Sequence, residues 1–133
     1  MVNVSGVNVS GRIFYRIGAA VALAAAFVEV WMNLAVGIVG SEDNPVNLGF
    51  YLVVVTAGAC AFTARLSADG MARAMLAVAA MQALLALVVA TAPSTVRDDP
   101  KGAIGVLALS SGFVLLWLVS AALFHKAARN TAD

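Results

Sequence analysis

One acidic residue, Glu29 in the stretch AAFVEVWMN, lies inside a long apolar run, and more chemistry is open to it than to any other side chain here. A charged group at the centre of a membrane helix is costly, about 2.5–3.5 kcal/mol on insertion scales. Glu29 must therefore face other helices, carry a proton, or both, because burial disfavours the charged form. Helical spacing sets its companions. Gly18, Ala22, Ala26, Glu29, Asn33, Gly37 and Gly40 follow steps of three and four residues. That stripe is small or polar, the composition that lets membrane helices approach closely. Leu23, Phe27, Val28, Leu34 and Ile38 take the rest of the surface and suit lipid.

Partners at the same depth come from the midpoints of the other apolar runs: Thr56, Gln82, and the pair Ser110 and Ser111. With Glu29 and Asn33 they form an expected polar layer near the bilayer midplane. Gln82 is the preferred partner of Glu29, since an amide can accept from a neutral carboxyl and donate to a charged one. Such a layer has two readings. It binds a proton or a small ligand, as midplane sites of transporters do, or it fixes helix register as a buried polar contact. Trp31 and Trp117, both in mid-run, are read as packing residues.

Outside the apolar runs, the segment IVGSEDNPVN places Glu42 and Asp43 together, and Asp98 and Asp99 form a second acid pair. Carboxylates of this kind can ligate a hard cation, so an outer cation sensor is a third functional reading. The same letters also make a stop, a turn and a start: Gly40 suits a helix C-terminus, Pro45 forbids continuation, and Asn47 can cap the next helix. Arg65 and Arg73 flank the short SADG loop, where they can reach the membrane surface and bind anionic lipid headgroups. His125 is read as an interfacial residue.

Much chemistry is excluded. A single histidine cannot supply two axial haem ligands, and the lone Cys60 allows neither an internal disulfide nor a thiolate cage. Lys101 and Lys126 stand at run ends, away from any intramembrane Schiff base. No phosphate loop or HExxH pattern appears. A triad on His125 would have only Asp69 and Asp133 to draw on. No cofactor is expected, and the reading leans away from an enzyme.

The elements that position these residues follow from composition. Charged residues are 11% of the chain, against about 25% in a soluble domain. A fold of this size could not cover a water-facing surface with so few, and a mean hydropathy of +0.96 points to lipid as solvent. A net charge of +1 gives no case for nucleic acid. Four apolar runs, about 13–40, 48–66, 71–92 and 103–124, each reach the roughly 20 residues that cross about 30 Å of hydrocarbon. The first is too long for a signal peptide's apolar core and is read as a retained span. Residues 1–11 repeat VNVSG and are expected to be a flexible tail; 127–133 are expected to be a second tail. Arg12, Arg16, Arg65, Arg73, Lys126 and Arg129 fall on one side, and Arg97 and Lys101 on the other, so both termini are expected in the cytoplasm. Short connections make successive spans antiparallel. The expectation is an all-α, antiparallel four-helix transmembrane bundle, in contact with membrane lipids and homo-oligomeric because so small a bundle barely encloses a cavity.

The segments NLAVGIVGSEDNPVNLGFY and ARLSADGMARAMLAVAAMQALLAL resemble a family of small four-span bacterial membrane proteins. That family carries a GSEDNP-N loop after its first span and a GMARA segment opening its third. The likeness covers about residues 33–88. It implies four spans in a bacterial inner membrane, and it implies no activity. The layout is also similar to small multidrug-resistance exporters, with four spans and one Glu in the first. This chain departs from them in lacking their glycine-rich third-span motif and in its strong charge bias. Transport or binding at Glu29 leads, and a structural or accessory membrane subunit is the alternative.

Overall fold

In a computed structural model of the chain, the backbone is described for residues 4–35, 48–91 and 102–132, and side chains for 11–35, 48–91 and 104–130. The described residues form four helices: α1 (Val4–Ala35), α2 (Leu48–Thr63), α3 (Ala68–Thr91) and α4 (Gly102–Ala132). Among the described residues there is no strand. The expected all-α bundle is present. Gly11–Ala35, Ala68–Thr91 and Ile104–Asn130 are long and apolar enough to cross a membrane. The second run is shorter than expected: α2 has 16 residues, about 24 Å of rise against about 30 Å of hydrocarbon.

Two boundaries differ from the sequence reading. The VNVSG repeat is helical from Val4 rather than a flexible tail. The segment after residue 126 continues α4 to Ala132. Both extensions follow from cooperativity, since a helix already nucleated gains one hydrogen bond for each residue added.

Successive helices run antiparallel. Tyr15 reaches Leu66, Gly49 packs on Leu85, and Gly18 lies against Ser120 and Leu123. The helices pack in a ring, α1–α4–α3–α2, and α4 makes the largest interfaces, with α3 and with α1. Without a hydrophobic drive between helices in lipid, close approach supplies the packing. At Gly18 a Cβ would stand 3.2 Å from Leu123 Cβ, and the Ser120 hydroxyl donates to the Gly18 carbonyl at 2.8 Å. Buried Ala72, Ala79, Ala86 and Ala90 serve the same purpose on α3. The outer surface carries Leu23, Phe27, Leu84 and Ile104 in the open. An exposed apolar surface on that scale is abnormal in water and ordinary in lipid.

The α2–α3 connection is a double cap. The Arg65 N–H donates to Phe62 O (3.0 Å) and the Leu66 N–H to Ala61 O (3.1 Å), closing α2 as a Schellman motif. Arg65 and Leu66 both adopt positive φ, 54° and 59°, a conformation costing about 1–3 kcal/mol without glycine. The Tyr15 hydroxyl donates to Leu66 O at 2.6 Å and ties the connection to α1. Ser67 then caps α3, its Oγ accepting from the Gly70 N–H at 3.1 Å. Gly70, the glycine of the GMARA segment, sits where a Cβ would stand 2.7 Å from both Ala64 Cβ and Ser67 Oγ.

Gly70→Ala should therefore destabilise the bundle by about 1–3 kcal/mol. Gly58→Ala, at a helical position with nothing within 4 Å, should be neutral or stabilising by up to about 1 kcal/mol; denaturant unfolding in micelles checks both. Trp31 is 60% exposed and Trp117 is buried, so lipids brominated on their acyl chains should quench fluorescence in a Trp117→Phe chain and leave a Trp31→Phe chain largely unquenched.

Candidate functional site

The candidate site is a buried polar cluster between the helices. Its first member is Glu29, wholly buried on the inward face of α1. Of the expected inward stripe, Gly18, Glu29 and Asn33 are buried and Ala22 and Ala26 half-buried, while Ala25 completes the face. Gly37 and Gly40 lie outside the described residues. Leu23, Phe27 and Leu34 point outward as expected; Val28 is instead half-buried against the core.

Gln82 is the partner of Glu29. Its Nε2 donates to Glu29 Oε1 at 2.6 Å, and both side chains are fully buried. This bond crosses the bundle from α1 to α3, between helices that are not neighbours in the ring. The Trp117 indole Nε1 on α4 donates to Gln82 Oε1 at 2.9 Å. An indole N–H only donates, so the amide oxygen must face Trp117 and the amide nitrogen must face Glu29. Glu29 Oε1 is thereby an acceptor, and any proton that the carboxyl holds belongs on Oε2.

Among the described residues Oε2 has no hydrogen-bond partner. Neither do Asn33 Oδ1, Asn33 Nδ2 and Ser110 Oγ, all of them buried. Asn33 stands one turn beyond Glu29 on the same face. Along antiparallel α4, Ser120 is level with Gly18, and the rise of both helices brings Ser110 level with the Glu29 turn. Four stranded polar atoms within one layer are unusual, because most buried polar groups are satisfied. A groove between α3 and α4, open on the outer face where Leu87, Leu107, Ser111 and Leu115 are exposed, passes Ser110; Glu29, Asn33 and Gln82 do not line it.

Other expected members are not brought together. Ser111 is exposed, its hydroxyl donating to Leu107 O of its own helix at 2.7 Å; a step of about 100° from Ser110 turns it off the inward face. Thr56 is half-buried, and the packing of Gly49 on Leu85 sets it about one turn from the level of Gln82.

Trp117 is the site residue that sequence reasoning missed. Tryptophan in mid-run reads as packing, and its N–H, which needs a partner once buried, was the available signal. The reading of Trp31 as a packed residue is likewise corrected: it lies on the outer surface beside Phe27, ring centroids 6.4 Å apart.

Glu42, Asp43, Asp98 and Asp99 fall outside the described residues. Among the described residues no group of three or more His, Cys, Asp or Glu side chains could hold a metal ion. Arg73 is engaged by Asp69, one turn earlier on α3. Arg65 is exposed at the connection, beside Phe62, Thr63 and Leu66. His125 is exposed near the same end, next to Lys126, whose ammonium stands 4.8 Å over the Phe14 ring.

Compared with known proteins, the chain matches no family model, no curated protein and no solved structure.

Replacing Gln82 with Leu strands Glu29 Oε1 and Trp117 Nε1 together. The expected cost is about 1–3 kcal/mol for each buried group left unpaired, read as a lowered unfolding midpoint. Trp117→Phe frees Gln82 Oε1 alone and should cost less than Gln82→Leu in the same assay.

Proposed function

We propose that this membrane-embedded bundle binds a proton or a small polar ligand at the layer around Glu29, and that this binding serves transport. The observation that carries the reading is the division of labour within one carboxyl. Oε1 is held by Gln82, while Oε2 is buried and has no partner among the described residues, and the same holds for both polar atoms of the Asn33 amide one turn away. A purely structural contact gains nothing from stranded donors and acceptors, each of which costs about 1–3 kcal/mol. A binding site keeps such groups for what it binds.

A second reading is supported by the bridge itself. Trp117, Gln82 and Glu29 join three helices through two hydrogen bonds, which suits a structural or accessory membrane subunit whose register must be fixed. The two readings part on Glu29→Gln. Reconstituted in liposomes, the transporter should lose proton-coupled flux on this substitution, which preserves an oxygen acceptor for Gln82 and removes the titratable group. A scaffold should show no flux in either form, and absence of flux from the unsubstituted chain would reject the transport reading.

A further inference from the structure

The end that carries Arg12, Arg16, Arg65, Arg73, Lys126 and Arg129, here the basic end, has more cations than anions to meet them. Among the described residues it holds one carboxylate, Asp69, and that group is engaged by Arg73. The other cationic side chains are exposed and make no ion pair among the described residues. Aromatic rings stand at the same level. The Tyr15 hydroxyl donates to Leu66 O, the Tyr15 ring meets Phe124 edge-on at 5.0 Å, and the Lys126 ammonium lies 4.8 Å over the Phe14 ring. Tyrosine among basic side chains is the composition of the layer where lipid headgroups meet hydrocarbon.

Within this end Arg65 is placed in a particular way. It follows α2 in the Schellman motif that closes the helix, with φ at 54°. That position favours glycine, which takes a left-handed backbone without strain; here it carries a guanidinium. Arg65 lines a groove with Phe62, Thr63 and Leu66. Phe62 is 82% exposed and Leu66 58%, so the groove presents apolar walls to its surroundings. The Thr63 hydroxyl donates to Ala59 O of its own helix at 2.7 Å. Among the described residues the guanidinium is therefore the groove's unengaged polar side chain. The length of α2 sets its depth. Sixteen residues rise about 24 Å, less than the roughly 30 Å of hydrocarbon, and residues flanking a short span reach for the headgroups.

We infer that this groove seats an anionic phospholipid, with the lipid phosphate on the Arg65 guanidinium and an acyl chain along Phe62 and Leu66. Charge sets the class of occupant. The surplus of cations at the basic end attracts an anion, and a guanidinium pairs with phosphate through two parallel N–H donors. The apolar walls set the rest. A free phosphate would leave Phe62 and Leu66 uncovered, whereas a lipid covers them and keeps its phosphate in the headgroup layer. A zwitterionic lipid carries its own cation and gains less from Arg65. Arg73 is outside the seat: it lines a second groove, with Cys60 and Ser67, and is held there by Asp69. The seat is independent of what Glu29 binds.

Thermal unfolding of the full chain in nonionic detergent micelles tests this. Phosphatidylglycerol, phosphatidylcholine of the same acyl chains, and inorganic phosphate at matched ionic strength are added in turn. Phosphatidylglycerol should raise the unfolding midpoint by a few degrees and saturate, as a ligand of the folded state does; the other two should leave it in place. Arg65→Gly is the decisive variant, because glycine suits the left-handed cap. It should unfold no earlier than the parent in plain micelles and should lose the phosphatidylglycerol effect. Phe62→Ala, which keeps the charge, should need more lipid for the same rise, and Arg129→Gln should keep the effect. An equal rise with phosphatidylcholine, a rise with inorganic phosphate, or a full rise in Arg65→Gly overturns the seat. An unchanged lipid response in Phe62→Ala overturns it as well. So does an equal loss in Arg129→Gln and Arg65→Gly, which assigns the effect to the charge of the whole end.

Discussion

An indole N–H donates and never accepts, and the interior of this bundle is organised around that fact. Trp117 presents its N–H to Gln82 Oε1, which turns the amide nitrogen toward Glu29. One side chain on α3 thus reads α4 on one edge and α1 on the other. The rotation and depth of three helices are set together, because sliding any of them by one residue would break one of the two bonds. In lipid, where apolar surface has no preferred partner, a directional contact of this kind supplies the specificity that burial of leucine supplies in water.

The remaining packing is arranged to let that bridge close. Gly18 and Ser120 bring α1 and α4 together, and a run of alanines brings α3 to its neighbours. At the basic end the connection between α2 and α3 is capped twice and pinned to α1 by Tyr15. The strain of two consecutive left-handed residues, Arg65 and Leu66, is offset locally by those same bonds. The result is a tightly packed apolar interior with a few unmet polar atoms, on Glu29, Asn33 and Ser110, buried within it. These unmet atoms, rather than the acid alone, make Glu29 a functional candidate.

The inversion of polarity explains why periodicity worked as a guide. Glu29, Asn33 and Gln82 could be placed inside because they are the costly residues in a lipid-facing surface, and the three- and four-residue steps named their face. The same logic could not separate Ser110 from Ser111, which differ by one helical step, nor Trp31 from Trp117, which share a composition and opposite surroundings. Those pairs are decided by the rotation of a helix about its axis, and a run that is apolar nearly all round carries little record of that rotation.

By itself the sequence determined an all-helical chain with too little charge for water, apolar runs of spanning length, a basic end, and a buried acid whose best partner was Gln82. These follow from one-dimensional quantities: composition, run length and period. Only the tertiary structure decided that Trp117 orients the amide and that Thr56 and Ser111 stand apart from the layer. Each of these depends on the relative depth and rotation of two helices, which is fixed by side-chain contacts between them.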